Sequence, residues 1–227
     1  MCFALLGETG GGFDFIPCMN IDGVMLCKYG AEWIEEQGVK DYLYKINGAK
    51  RDFSLWKANA YAVDLNVNFD AGWGTGRQNL TYPSPANYIG TAPGSEPETQ
   101  ALVSVLGKNN YSQVVCYHTK GEVVYWGFGS NFFHYEEAER YAKKLGYLLL
   151  TSEGSAGGLK DYYDTVSQGL GLTVEVGEDI FPHPYPVSEL DNLVKRHLPS
   201  MEILYENGVK IAAKVYGNSP GGSSQGI

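Results

Sequence analysis

The sequence predicts an α/β protein, and three observations carry that prediction. Apolar runs of strand length appear at residues 114–117 (VVCY) and 170–176 (LGLTVEV). Amphipathic helical patterns alternate with them, most clearly over residues 135–145, where Gly146 closes the pattern. No internal repeat and no linker divides the chain. Strands alternating with helices bury their apolar surfaces best as a sheet with helices on its faces. The 227 residues suffice for one large core, so a single domain is expected over residues 1–217, with a disordered Gly/Ser tail over 218–227.

In chain order, residues 1–6 are apolar and residues 7–12 form a Gly-rich turn. Residues 13–19 read as a strand. Asn20-Ile21-Asp22-Gly23 reads as a turn, because Asn and Asp bond their own backbone and Gly accepts positive φ. Residues 31–44 read as a helix, 46–52 as a basic loop and 60–65 as another short strand. Residues 66–93 are long and irregular, and loops of that length inside a domain usually carry function. Ser95-Glu96-Pro97-Glu98 opens a helix with Ser95 as N-cap, running to about Gly107. After the central strand come the helix over 135–145, an apolar stretch over 147–150 and a Gly/Ser loop over 154–158. A helix over 159–168, the strand over 170–176, a Pro/His loop over 181–186 and a helix over 187–198 follow, with more helix to about Tyr216.

The formal charge is −9, from 17 basic and 26 acidic residues, which disfavours nucleic acid as a partner because phosphate binding needs a basic face. Cys2, Cys18, Cys27 and Cys116 make no Cys-x-x-Cys pair, so neither a zinc knuckle nor a disulfide framework is expected. Cys18 and Cys116 lie in apolar runs and are expected to be buried thiols. Residues 1–6 are too short for a signal peptide, and no apolar run reaches membrane-spanning length. The default expectation is a cytoplasmic protein without a membrane span.

Some residues stand out chemically. His118 follows a buried strand, and open α/β sheets gather ligands at strand C-termini. The plainer alternative is a core histidine bonded to a carbonyl. Glu175 sits in a Val-Glu-Val run at another strand end, where a carboxylate is costly without a partner. Lys57 reads equally as a surface lysine, and Asn66 as a turn-holding side chain. His134 and Glu137 share a helix face at i, i+3, yet a solvated helix start explains them more simply. His183, between two prolines, belongs to loop structure. Gly72-Trp73-Gly74-Thr75-Gly76 opens no helix and is not a phosphate loop.

Several stretches, in order, resemble the M14 zinc carboxypeptidases. Trp56-Lys57-Ala58-Asn59 followed by Val63-Asp64-Leu65-Asn66-Val67-Asn68-Phe69-Asp70 resembles their substrate-binding segment. Ser95-Glu96-Pro97-Glu98-Thr99 resembles their helix start. Tyr117-His118-Thr119-Lys120-Gly121-Glu122 with Tyr125-Trp126 looks like the strand bearing their last zinc ligand. Gly157-Gly158-Leu159-Lys160-Asp161 and Thr173-Val174-Glu175-Val176-Gly177 match their last two signatures. Lys57 and the His-Thr-Lys-Gly-Glu run look most like the bacterial branch that cleaves γ-D-glutamyl-diaminopimelate bonds of cell-wall peptides.

The resemblance implies a three-layer α/β/α fold with a mixed sheet, Zn2+ as cofactor and a peptidoglycan-derived peptide as substrate. It implies His118 as a zinc ligand, Glu175 as general base, Lys57 at the oxyanion and Asn66 on a substrate carboxylate. There are departures. The family's His-x-x-Glu pair belongs before the Asn20 turn, yet no His precedes His118. The expectation is therefore a domain that lacks its N-terminal strands, with an incomplete zinc site and an exposed sheet edge open to self-association. A leader would lie in the same missing part, which leaves export open. Val67 stands where carboxypeptidases place a carboxylate-clamping Arg, and no Tyr lies near Glu153. A non-catalytic remnant that still binds peptide is the competing expectation.

Overall fold

Two buried strands form the centre of the molecule, and their sequences explain why. In the computed structural model, which describes residues 4–8 and 12–216, Tyr111–Thr119 (β3) and Leu170–Val176 (β6) pair in parallel. Such doubly covered strands read as near-continuous apolar runs. Val123–Trp126 (β4) lies antiparallel on β6, and Leu148–Thr151 (β5) parallel on β4. On the other flank, Ala4–Glu8 (β1) is antiparallel to β3 and Phe13–Ile16 (β2) to β1. The sheet is mixed, with order β2-β1-β3-β6-β4-β5. β1 covers the β3 edge, and the outer strands among the described residues are β2 and β5.

Alternation along the strands divides the core into two. Val115, Leu170, Leu172 and Val174 face Tyr135–Leu145 (α4) and Met201–Tyr216 (α7), through Ala138, Tyr141, Leu204 and Ile211. Val114 and Cys116 face Pro97–Lys108 (α3) and Leu159–Val166 (α5), through Leu102, Leu159 and Tyr163. Each large apolar side chain buried here contributes about 1.5–3 kcal/mol. Gly171 lets α5 approach β6, since a Cβ there would stand 2.4 Å from Asp164 Oδ1. A third, smaller core joins Ile21–Tyr29 (α1) and Gln37–Ile46 (α2) to Phe53 and Trp56. Leu190–His197 (α6) precedes α7 and buries no residue fully.

Several expected elements are corrected. Asn20 does not close a turn: its Oδ1 accepts the Gly23 N–H at 2.8 Å and caps α1, the same short-range Asn chemistry used to start a helix. The helix expected over 31–44 begins only at Gln37. Residues 60–65 form turns leading into a 3-10 turn, Leu65–Val67, and no strand. Glu96, and not Ser95, is the N-cap of α3. The helix over 187–198 splits into a 3-10 turn, Val187–Glu189, and α6. Cys116 is buried as expected, whereas Cys18 is half-buried. The 218–227 tail lies outside the described residues. Among those described, no helix is long and apolar enough to cross a membrane.

Candidate active site

Register alone brings the two candidate catalytic residues together. His118 on β3 and Glu175 on β6 are direct Cα partners, and Val123 of β4 is the next partner across from Glu175. In a parallel pair, directly opposed residues share a face, here the face that packs under α3 and α5. Behind them, Cys116, Thr173, Tyr125 and Leu150 form the next row across the sheet. A cavity of about 600 Å3 opens on this face, with His118, Glu175, Thr173, Tyr125 and Leu150 as its sheet wall.

Asn66 also lines the cavity, from the loop side. It sits in the 3-10 turn, where Asp64 Oδ1 accepts its N–H at 3.1 Å and Asp64 Oδ2 accepts the Asn87 N–H at 2.9 Å. Asn68, fully buried, holds the far side of the turn: its Nδ2 donates to the Ile89 carbonyl at 2.9 Å and to Ser95 Oγ at 3.0 Å. Asn59 does the same one turn earlier, donating to Glu96 Oε2 at 2.7 Å.

The rim is the β5–α5 segment, which contributes Thr151, Ser152, Glu153, Ser155 and Gly158. Gly157 permits its contact with the Asn66 turn, because φ there is +88° and a Cβ would meet the Val67 carbonyl oxygen at 2.8 Å. Lys160 and Asp161, at the start of α5, complete the lining.

Lys57 is not among the lining residues. Its backbone is pinned, with its N–H donating to Pro85 O at 2.9 Å and its carbonyl accepting from Asn20 Nδ2 at 2.9 Å. Its side chain is exposed and its charge reaches His183, whose ring is held below the usual histidine range by burial, then by Lys57 and Lys120. Lys57 therefore stands outside the lining that His118, Glu175 and Asn66 share. His134 and Glu137 make a structural pair. His134 Nε2 donates to the Gln168 carbonyl at 2.7 Å, and Glu137 Oε1 takes Lys214 Nζ at 2.6 Å.

The sequence reading assigned no role to Tyr125, Ser152, Glu153 or Thr173. Lys160 and Asp161 were visible in a motif.

A catalytic zinc site generally takes three protein ligands. Among the described residues, no three His, Cys, Asp or Glu side chains converge. The carboxylate beside His118 is Glu175, the proposed base, so these residues do not fit a complete zinc site.

The chain is thus an α/β domain with helices on both faces of a mixed sheet and with His118 and Glu175 at two adjacent strand ends. The zinc carboxypeptidase profile, Peptidase_M14, matches residues 12–188, and the chain belongs to that family. It is 34% identical over 189 residues to gamma-D-glutamyl-L-diamino acid endopeptidase 1 of Lysinibacillus sphaericus, covering 82% of this chain and 46% of that protein. It is 41% identical over 69 residues to murein peptide amidase A of Escherichia coli, covering 27% and 28% of the two chains. Carboxypeptidase A from Helicoverpa armigera shares the fold, with a TM-score of 0.61 at 17% identity over 88% of this chain and 51% of that one. The chain thus spans about half the length of its Lysinibacillus relative.

Proposed function

We propose that this chain carries the base and substrate-binding side of a peptidase site acting on amide bonds of cell-wall peptides, with γ-D-glutamyl-diamino acid peptides as the substrate class. The observation that supports it most is the direct register of His118 with Glu175 on a cavity wall. Glu175 is the proton carrier, taking a proton from the attacking water and passing it to the leaving amine. Asn66, in the cavity lining, contacts a substrate carboxylate. Lys57, whose exposed side chain stands outside the cavity lining, is the candidate for oxyanion contact. His118 is the one member of the family's zinc ligand set that can be named among the described residues. The substrate class follows the names of the Lysinibacillus and Escherichia coli relatives.

A second reading, peptide binding without hydrolysis, is favoured by the donor set that falls short of three ligands. One experiment separates them. The chain is incubated with L-alanyl-γ-D-glutamyl-meso-diaminopimelate, with and without zinc; binding is followed by calorimetry and cleavage by mass spectrometry. Saturable binding weakened by Asn66→Ala is expected. Release of diaminopimelate that stops in Glu175→Gln supports hydrolysis, and binding without release supports the second reading. Absence of binding overturns both.

A further inference from the structure

Most of the charges that line the cavity are answered inside the protein. Lys160 is 3% exposed. Its Nζ donates to the Gly127 carbonyl at 2.9 Å, to Ser152 Oγ at 3.1 Å and to Asp164 Oδ2 at 3.5 Å, and it lies 2.8 Å from Asp161 Oδ1. Glu175 is the base of the proposed reaction. Glu153 differs from these. It lines the cavity from the rim and is exposed, and among the described residues no hydrogen bond or ion pair claims its carboxylate.

Beside it stands a cation in the same condition. Arg77 is exposed, and no ion pair or side-chain hydrogen bond among the described residues engages its guanidinium. Its place is fixed twice at Gly154, which separates the lining residues Glu153 and Ser155. The Arg77 N–H donates to the Gly154 carbonyl at 2.9 Å, and the side chain lies against the Gly154 backbone, where a Cβ would stand 2.8 Å from Arg77 Cζ. Gly154 has a φ of +80°, so both the space and the backbone at that point call for glycine. A carboxylate and a guanidinium thus meet the rim at neighbouring positions, and no ion pair joins them.

We propose that Glu153 and Arg77 are the specificity pair of the rim, and that they read a zwitterionic carbon, one carrying an ammonium and a carboxylate together, at the far end of the substrate's diamino acid. The proposal rests on the cavity being the peptide site. Glu153 accepts from the ammonium. Arg77 donates to the carboxylate through a planar fork that suits two oxygens. Tyr125 and Leu150, in the same lining, offer apolar surface to the methylenes between the two ends of the diamino acid. Diaminopimelate ends in a zwitterionic carbon, whereas lysine ends in an ammonium alone. Glu153 by itself does not separate the two, because both bring it an ammonium. Arg77 does, because only diaminopimelate brings it a carboxylate. Neither residue takes part in the proposed proton transfer, so the pair selects the substrate and leaves the chemistry to Glu175.

The test is calorimetry of the full chain with three peptides: L-alanyl-γ-D-glutamyl-meso-diaminopimelate, its lysine counterpart and its ε-acetyl-lysine counterpart. The diaminopimelate peptide should bind tightest, the lysine peptide about tenfold more weakly, and the acetylated peptide more weakly again. Arg77→Met should bring the diaminopimelate peptide down to the level of the lysine peptide, and leave the lysine peptide bound no more weakly than before. Glu153→Gln should weaken both of those peptides and leave the acetylated one unchanged. Both side chains are exposed, so neither change disturbs the core. Raising the ionic strength should shrink the preference, as expected of exposed charges. Equal binding of the diaminopimelate and lysine peptides to the unaltered chain overturns the proposal and leaves the peptide site standing. So does a preference that survives Arg77→Met at full size. Failure of all three peptides to bind defeats the reading of the cavity, and the specificity pair falls with it.

Discussion

The two walls of the cavity are built on different physics. On the sheet wall, His118, Glu175 and Thr173 take their places from strand ladders, and the apolar residues between them anchor the strands from behind: Val115, Leu172 and Val174 are fully buried. On the loop wall, Asn66 belongs to a stretch with little regular structure, and buried amide and carboxylate side chains do the anchoring. Asn68 makes four hydrogen bonds to residues 89 to 96 of the same loop system, three through Nδ2 and one through Oδ1. Asn59 Oδ1 accepts the Tyr61 and Val63 N–H groups at 3.0 Å each. A ladder spreads its strength over many equivalent bonds. A loop held by a few polar side chains concentrates it, so the loop wall should tolerate far less change of chemistry at constant size.

The sharpest break in that comparison is Asn68→Leu, which keeps the branched side-chain shape and removes every side-chain bond. It leaves buried carbonyls and the Glu96 N–H without their partner, and should cost about 4 kcal/mol in urea unfolding. Next is the seam between rim and loop wall. Gly157→Ala forces a Cβ against the Val67 carbonyl at positive φ, at a cost of about 2 kcal/mol, with weaker peptide binding measured by calorimetry.

A pH experiment comes third and sets two buried groups against each other. Asp164 has a raised folded pKa of about 7 against 3.8, so its contribution to stability is fully present below pH 3.8 and is lost as pH rises toward 7. His197 sits between Tyr147 and Tyr117, sharing a 3.0 Å hydrogen bond with Tyr147. Burial, helped by Arg196, lowers its folded pKa to about 4 from 6.5, so its contribution is present above pH 6.5 and is lost as pH falls toward 4. The two slopes oppose each other between pH 4 and 6.5. Stability should rise with pH across that window in Asp164→Asn and fall with pH in His197→Phe. The two variants should diverge by on the order of 2 kcal/mol after allowance for partial exposure of the ring. The smallest effect is expected on the sheet wall: Leu172→Met keeps volume and apolarity and should cost under about 1.5 kcal/mol. A loss there equal to that of Asn68→Leu would erase the distinction between the walls.

The legibility of these regions in the sequence follows the same division. The strand read at residues 170–176 and the helix read at 135–145 have those same bounds in the structure, because an unbroken apolar run or a 3.6-residue pattern with a Gly stop is written locally. The Gly146 stop is a left-handed residue, φ 71°, as its sequence position implied. His118 and Glu175 could be singled out because each ends such a run. The stretch over 60–65 has a strand-like sequence but forms no strand, because the bonds around it go elsewhere. Asn59, just before it, donates to Glu96, 37 residues away, and Asp64 accepts from Asn87, 23 residues away.

What the sequence determined by itself, then, was the α/β class, the central strands and the chemistry at their ends, since period and residue type are properties of neighbours in the chain. The side-by-side register of His118 and Glu175, the exclusion of Lys57 from the lining and the antiparallel seat of β1 on the β3 edge were decided only by tertiary structure. So was the gathering of β4, β5 and α5 onto the Lys160 ammonium. These depend on which buried polar group satisfies which, and that choice is made between residues that meet only once the chain has folded.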